Sequence, residues 1–187
     1  MYETSEIRKG LKIKMDGYPW IIVNFEFVKP GKGTAFTRVR MKNLKTGQAL
    51  DRTFKTGERL EPANFEERDC TYLYGDAEHY HFMDQGTYDQ IAVTAEALGD
   101  ASKFLIENMP VTVLLYEGEP MTVELPTFIE AQVTYSEPGK KGDTATGGTK
   151  WATISTGAQI AVPLFVNEGD WLKVDTRDGC YVERVKK

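Results

Sequence analysis

Cysteine is scarce in this sequence, with two in 187 residues. Cys70 and Cys180 lie far apart and lack the spacing of a metal site, so a disulfide framework is not supported and a reducing compartment fits best. Cys70 stands among apolar and aromatic neighbours in CTYLY, where a buried thiol is the expected role. The sequence therefore predicts a cytoplasmic protein that does not depend on disulfides.

Long apolar runs are also missing. The longest, VTVLLY at 111–116, is far shorter than the roughly 20 residues of a membrane-spanning helix. The N-terminal MYETSEIRKG has no apolar core of the kind that signal peptides carry. Because 41% of the residues are hydrophobic and 27% are charged, the composition is that of an ordinary globular protein. We expect a soluble, unexported chain with no membrane partner.

Histidine is equally rare, and no Ser-His-Asp or Cys-His arrangement can be inferred from spacing. His79 and His81 are two apart in a predicted strand and so share a face, which would permit a common metal ion. No third ligand accompanies them, and their alternation with Tyr80 and Phe82 is more typical of barrel packing. We predict no metal site and no bound cofactor.

Phosphate-binding and dinucleotide-binding loops are absent as well. GKGTAF does not follow the pattern GxxxxGK with a following Ser or Thr, and in GDTATGGTK, from Gly142, Gly148 stands where lysine is required. The dinucleotide fingerprint fails because Phe36 takes the place of its third glycine and no βαβ unit surrounds it. These absences exclude the common nucleotide-binding classes.

Charge is present but divided unevenly along the chain. Residues 1–63 carry 13 basic against 7 acidic side chains, residues 64–126 carry 2 against 13, and residues 127–187 carry 8 of each. Such segregation indicates separate domains. The first could approach a polyanion, and the second would be repelled by one.

Short strands separated by turn residues account for nearly all of the chain, a pattern typical of small barrels. One helix is predicted near Asp100 to Asn108, with Asp100 as its cap and Pro110 beyond its end. We predict an all-β protein of three small barrels. They are an SH3-like barrel over 1–63 and two OB-fold barrels over 64–126 and 127–187. The predicted strands are Leu11–Met15, Trp20–Phe27, Ala35–Asn43, Gln48–Lys55, Cys70–Tyr74, Tyr80–Met83, Pro110–Tyr116, Met121–Leu125, Phe128–Tyr135, Ala152–Ser155, Gln159–Pro163, Trp171–Asp175 and Gly179–Val185.

One hairpin presents a single cation at its tip, VKPGKGTAF. Pro30 has a fixed φ, and Gly31 and Gly33 allow positive φ, so the chain can reverse there without Cβ clashes. Lys32 is therefore predicted at the apex, in solvent, with Lys29 at the loop base.

The second strand of this hairpin alternates apolar residues with cations, as half-buried strands do. Arg38, Arg40 and Lys42 would share its wet face and bind RNA phosphates without reading sequence. The alternative is that these cations only solvate the exposed face of the strand and bind nothing. For any one of the three residues taken alone, this alternative is favoured.

Several segments spread over the whole chain match one family pattern. They are KPGKGTAF at the tip, TFKTGE near the end of the first domain, and TYLYGD and HFMD in the second. The longest blocks are GDTATGG and ATISTGAQIAVPLFVNEGDWLKVDTRDGCYVERV. In these segments, and over its whole length, the sequence resembles the bacterial elongation factor P family. This chain has Trp151 after GGTK, where the family usually has proline, which affects the expected conformation of that loop.

The resemblance implies an L-shaped monomer, related to initiation factor 5A, that binds both ribosomal subunits between the peptidyl and exit sites. Such a factor positions peptidyl-tRNA and relieves stalling at consecutive prolines without being an enzyme itself. Lys32 would reach toward the acceptor end of the peptidyl-tRNA. It would carry a covalent lysyl-type or alkanol-type extension added by a separate enzyme. Gly142, Asp143 and Thr144 would lie near messenger RNA in the exit site.

Two other functions compete with this interpretation. A generic OB-fold protein that binds single-stranded RNA would show aromatic stacking platforms and tight binding to free RNA. An enzyme using Lys32 as a Schiff-base nucleophile would need burial of that lysine or nearby cations, which an exposed tip does not supply.

Overall fold

The computed structural model describes residues 1–139 and 147–187, and strands dominate both ranges. The predicted all-β class is confirmed. By its internal contacts the chain divides into two compact units, residues 1–68 with 113–122 and residues 69–112 with 123–187. The three domain boundaries drawn from the sequence stay a prediction.

The first sheet has six strands, in the order β1-β6-β2-β3-β4-β5. These are β1 (Tyr2–Glu3), β2 (Lys12–Met15), β3 (Tyr18–Val28), β4 (Phe36–Asn43), β5 (Ala49–Lys55) and β6 (Arg59–Pro62). A short 3₁₀ helix, Thr4–Glu6, follows β1. The predicted alternation holds on β4, where Thr37, Val39 and Met41 are buried. Val39 and Met41 belong to the hydrophobic core of this sheet. Its other members are Ile7, Leu11, Ile13, Trp20, Ile22, Phe54 and Leu60.

The second sheet has five strands, in the order β11-β10-β7-β8-β9. These are β7 (Glu66–Gly75), β8 (His79–Asp84), β9 (Gln90–Thr94), β10 (Pro110–Tyr116) and β11 (Glu119–Glu124). Cys70 is fully buried, as predicted, and within the described residues neither cysteine is part of a disulfide. The sequence pattern missed β9, together with the short strands β1 and β6 of the first sheet.

The helix predicted over Asp100–Asn108 is misplaced. An α-helix, α1 (Ala95–Leu98), begins earlier, and a 3₁₀ helix over Gly99–Phe104 continues it. The cap is Thr94, whose hydroxyl accepts a hydrogen bond from Ala97 N at 3.2 Å. Gly99 adopts φ +56° and ends α1 after about one turn. Asp100 therefore lies inside the 3₁₀ segment, where it pairs with Lys103.

The third sheet also has five strands, in the order β14-β13-β12-β15-β16. These are β12 (Phe128–Ser136), β13 (Thr149–Ile154), β14 (Gln159–Pro163), β15 (Trp171–Asp175) and β16 (Cys180–Val185), and they agree closely with the predicted positions. The register of β12 against β13 shifts between Val133 and Tyr135, as at a β-bulge. Because bulges bend a strand and increase its twist, β12 can curve around the core of this sheet.

His79 and His81 are not assembled with further ligands. Within residues 1–139 and 147–187, no group of three or more His, Cys, Asp or Glu side chains could hold a metal ion. Instead, His81 Nε2 lies 2.8 Å from Asp76 Oδ2, and its ring stacks on Tyr74 at a centroid distance of 4.5 Å. None of the helices in the described part of the chain has the length and apolar character needed to cross a bilayer.

Candidate nucleic-acid interface

The lysine tip closes the longest hairpin of the first sheet. Strands β3 and β4 pair antiparallel from Trp20 opposite Asn43 to Val28 opposite Phe36, and β5 follows β4 as far as Phe36 opposite Lys55. The tip, residues 29–35, connects the two strands. Lys32 is thus carried on a paired scaffold that continues to the base of the loop.

The outer half of β3 departs from the expected burial. Beyond Ile22 the strand has no buried face, since Val23, Phe25 and Phe27 are 42%, 42% and 61% exposed. A register shift between Ile22 and Asn24 marks the place where the change begins. This part of β3 therefore presents both of its faces to solvent, although its β4 partners Thr37 and Val39 remain buried.

The residues of the tip have distinct backbone roles. Lys29, Gly31, Lys32 and Gly33 are exposed, and Pro30 is partly buried. Gly33 has φ +116°, a conformation that side chains with a Cβ rarely adopt, so glycine is required there. Gly31 does not use positive φ, and a Cβ built on it would meet no atom within 4 Å. The expectation of two conformationally required glycines is therefore correct only for Gly33.

The base of the tip is held by a residue that sequence analysis did not identify. Thr56 donates two hydrogen bonds to the carbonyl oxygen of Ala35, from its backbone N at 3.2 Å and from Oγ1 at 2.8 Å. Thr56 itself lies in a turn, where Lys55 N donates to Glu58 Oε1 at 3.1 Å. The available signal was the segment TFKTGE, whose Thr-Gly pair marks a turn.

The three predicted phosphate-binding cations lie on one face of β4. Arg38 and Arg40 are exposed and Lys42 is partly buried, while the residues between them face the core. Arg40 Nε lies 3.9 Å from Asp51 Oδ1, and both side chains are largely exposed. Exposed pairs of this kind contribute only about 0–1 kcal/mol, so a phosphate can displace the carboxylate at little cost.

A shallow groove of about 390 Å³ lies against these cations. Its lining includes Arg38, Arg40 and Arg52, together with the acidic residues Glu26 and Asp51. The excess of positive charge is thus small. Arg38 also lies over an aromatic ring, with its guanidinium carbon 5.6 Å from the centre of Phe36. An arginine held against a ring is oriented for planar contacts.

The other predicted RNA-contact residues, Gly142, Asp143 and Thr144, lie outside the described residues. The strands that lead into and out of that segment are described. Glu137 N donates to Trp151 O at 3.0 Å, and Trp151 N donates to Glu137 Oε2 at 3.4 Å. Trp151 is therefore part of a regular strand, and it uses an N–H that proline would lack.

Three family models match the chain in succession. They describe the elongation factor P KOW-like domain over residues 3–60, the elongation factor P OB domain over 65–123, and the elongation factor P C-terminal domain over 129–184. The chain belongs to the elongation factor P family. The SH3-like or KOW-like and OB-fold classes predicted from the sequence are confirmed by these matches.

Relatives in the elongation factor P family align from end to end. The factors of Rhodococcus erythropolis and Caldanaerobacter subterraneus are each 50% identical over 185 residues, which covers 99% of this chain and 99% or more of theirs. That of Pelotomaculum thermopropionicum is 49% identical with the same extent. Among solved structures, initiation factor 5A from Methanococcus jannaschii matches 66% of this chain and 93% of its own, with 20% identity and a TM-score of 0.45.

Proposed function

We propose that this chain binds the ribosome between the peptidyl and exit sites and positions peptidyl-tRNA for peptide bond formation. Its principal effect is the relief of stalling at consecutive prolines. The observation that carries the proposal is the exposed Lys32 at the end of a long antiparallel hairpin, in a chain of the elongation factor P family. The tip itself and the outer half of β3 are exposed, so the end of the hairpin can enter a cleft.

The proposed mechanism is positional and does not use acid-base chemistry of the factor. Proline reacts slowly because its ring constrains both the nucleophile and the prolyl peptide. Holding the peptidyl-tRNA in a productive arrangement lowers the entropic part of the barrier without any proton transfer by the factor. Lys32 has a long stem and a cation suited to phosphate and ribose oxygens. The chain would therefore stimulate the ribosomal reaction without being an enzyme.

Lys32 is the proposed site of covalent modification. Its exposure and the lack of neighbouring bulk at Gly31 and Gly33 leave the amine open to a modifying enzyme. A lysyl-type or alkanol-type group would lengthen the side chain beyond its own reach. Intact-mass measurement of the protein from its native cells, followed by peptide mapping of residues 29–35, identifies the group.

The remaining cations are proposed to dock the domain on RNA. Arg38, Arg40 and Lys42 share one face of β4 and would contact phosphates, with Lys29 adding charge at the loop base. The segment Gly142 to Thr144 would lie near messenger RNA in the exit site. Neither set is proposed to read sequence on its own.

The competing functions make different predictions. A Schiff-base enzyme needs a desolvated lysine, whereas Lys32 is exposed. A general single-stranded RNA-binding protein would bind free RNA tightly, which the acidic residues 64–126 oppose. Filter binding to unstructured RNA separates the latter from a ribosomal factor, for which we expect weak binding to free RNA.

The direct test is reconstituted translation of a message with consecutive prolines. Addition of the natively modified protein should increase the rate of proline-proline bond formation and leave a message without such a run unaffected. A modified protein that binds ribosomes and yet changes neither rate would contradict the proposal.

A further inference from the structure

The outer face of the third sheet carries two large aromatic side chains that its core does not need. Tyr135 on β12 is 53% exposed and Trp151 on β13 is 54% exposed. On the opposite face of the same strands, Val133, Ala152 and Ile154 are at most 2% exposed. The two rings are thus held on the solvent side of a sheet whose other face is buried.

These rings line a common groove with polar neighbours. The strand register places Tyr135 opposite Thr153 and Thr153 opposite Gln159, so these three residues form a row across the sheet. Glu137 and Trp151 are joined by the two hydrogen bonds described above and form the next row. Together these residues enclose a groove of about 140 Å³. A cavity of about 150 Å³ is known to hold one benzene-sized ring.

We infer that this groove, which we name the aromatic groove, binds a single unpaired nucleobase of RNA. Exposed tyrosine and tryptophan rings are the usual platforms for base stacking, because every base offers a π-face. The Glu137 carboxylate has acceptor capacity beyond the bond from Trp151 N, and it can accept from an exocyclic amino group. The aromatic groove should therefore prefer cytosine or adenine, which carry such a group, over uracil.

A protein partner fits the aromatic groove less well. A stable protein interface buries about 800 Å² on each side. Two aromatic side chains supply at most about 300–500 Å² even when fully buried, and here each is already about half covered. The small volume and the three polar lining residues match one base better than a protein surface. The inference does not involve Lys32, so its failure would leave the proposed function untouched, and the reverse also holds.

The first experiment measures binding of end-labelled hexameric oligo(C), oligo(A) and oligo(U) to the full chain by fluorescence anisotropy of the label, and records tryptophan fluorescence of the parent protein in the same titrations. We expect quenching of Trp151, with oligo(C) binding more tightly than oligo(U). Trp151→Ala and Tyr135→Ala should each weaken oligo(C) binding at least about five-fold, the lower end of the loss for a stacking aromatic. Trp151→Phe, which keeps a ring, should lose less.

Two variants make the result specific. Phe165→Ala removes another exposed aromatic of the third family-matched region, 56% exposed, and should leave binding unchanged. Glu137→Gln should abolish the preference for oligo(C) over oligo(U), because an amide also donates. Equal losses in Phe165→Ala and Trp151→Ala, or no quenching by any oligonucleotide, would overturn the inference.

The source of the base is distinguished on the ribosome. A photo-cross-linker introduced at Gln159, on the rim of the aromatic groove, should attach to RNA. Mapping the adduct separates messenger RNA from ribosomal RNA, and either result supports a nucleobase ligand. Cross-linking to ribosomal protein alone would identify a protein partner and refute the inference.

Discussion

Thr56 and Ala35 are joined by two hydrogen bonds that fix the base of the lysine tip, from Thr56 N at 3.2 Å and from its hydroxyl at 2.8 Å to the same carbonyl oxygen. Because Ala35 directly precedes β4, this contact sets where the tip leaves the paired strands. The position of Lys32 therefore depends on a residue 24 positions away in the chain.

Thr56→Val removes the hydroxyl and keeps the branched shape of the side chain. We expect a loss of about 0.5–1.5 kcal/mol in the free energy of unfolding, the usual value of one hydrogen bond. Hydrogen exchange of the amides in residues 29–36 should accelerate, because the loop base is less restrained. Thr53→Val, on β5, is the matched control. If both variants exchange like the parent protein at the tip, the anchoring role of Thr56 is wrong.

Asp76 gives the fold a specific sensitivity to acid. The hydrogen bond from His81, followed by those from the backbone N–H groups of Glu78 and His79, holds the pKa of Asp76 well below its ordinary value of 3.8. Since the pKa is lower in the folded state, the ionised carboxylate stabilises the fold above pH 3.8. This contribution is lost as the pH falls below that value.

Asp76→Asn should therefore flatten the dependence of unfolding free energy on pH below about pH 4. His81→Leu should have a smaller effect in the same direction, because the two backbone donors remain. Urea unfolding at a series of acidic pH values measures both. If the unfolding free energy of Asp76→Asn falls with pH below pH 4 as steeply as that of the parent protein, the Asp76 carboxylate does not contribute to acid sensitivity.

Gly179 is constrained in two ways at the turn before β16. It adopts φ +71°, and a Cβ placed on it would lie 3.0 Å from Phe104 Cζ. Gly169 adopts a similar φ of +87° but would meet no atom within 4 Å. Gly169→Ala should cost about 1–2 kcal/mol for the left-handed backbone alone.

Gly179→Ala should cost more than Gly169→Ala, because Phe104 must also move. Combining Gly179→Ala with Phe104→Leu should recover part of the difference. Chemical unfolding of the parent protein, the two glycine variants and the double variant measures these differences in unfolding free energy. If Gly169→Ala and Gly179→Ala lower the unfolding free energy equally, the proposed steric clash with Phe104 is wrong.

Arg38 and Arg40 are predicted to contribute through charge. Replacing both with glutamine should weaken ribosome binding and flatten its salt dependence, by about 0.7–0.9 in logarithmic slope for each lost phosphate contact. Lys9→Gln with Arg59→Gln removes two charges from the same family-matched region, residues 3–60, at positions outside β4. The control variant should show the same salt dependence of ribosome binding as the parent protein. A slope unchanged by the arginine substitutions would defeat the assignment to phosphate binding.

Local pattern predicted much of the fold, because each strand that packs on a core repeats with a period of two. Strand β4 is the clearest case, and the exposed position of Lys32 followed from the same hairpin. The pattern failed for the outer half of β3, since apolar residues such as Phe27 predict burial and nothing local reports that this strand leaves the core.

Other errors had different physical origins. Thr94 and Asp100 are both acceptable caps, and which one is used depends on where Gly99 interrupts the helix. The anchoring of Ala35 by Thr56 is a contact between distant segments, which periodicity cannot reveal. Grouping Tyr135 with Trp151 likewise requires the register of β12 against β13.

The central claim is that Lys32, delivered by its hairpin, acts directly on a slowly reacting ribosome. The decisive measurement is the rate of proline-proline bond formation with Lys32→Ala, compared with Lys29→Ala at the loop base. We predict that Lys32→Ala abolishes stimulation while its unfolding free energy stays that of the parent, and that Lys29→Ala retains most of the stimulation. Full stimulation by a folded Lys32→Ala protein would contradict the account.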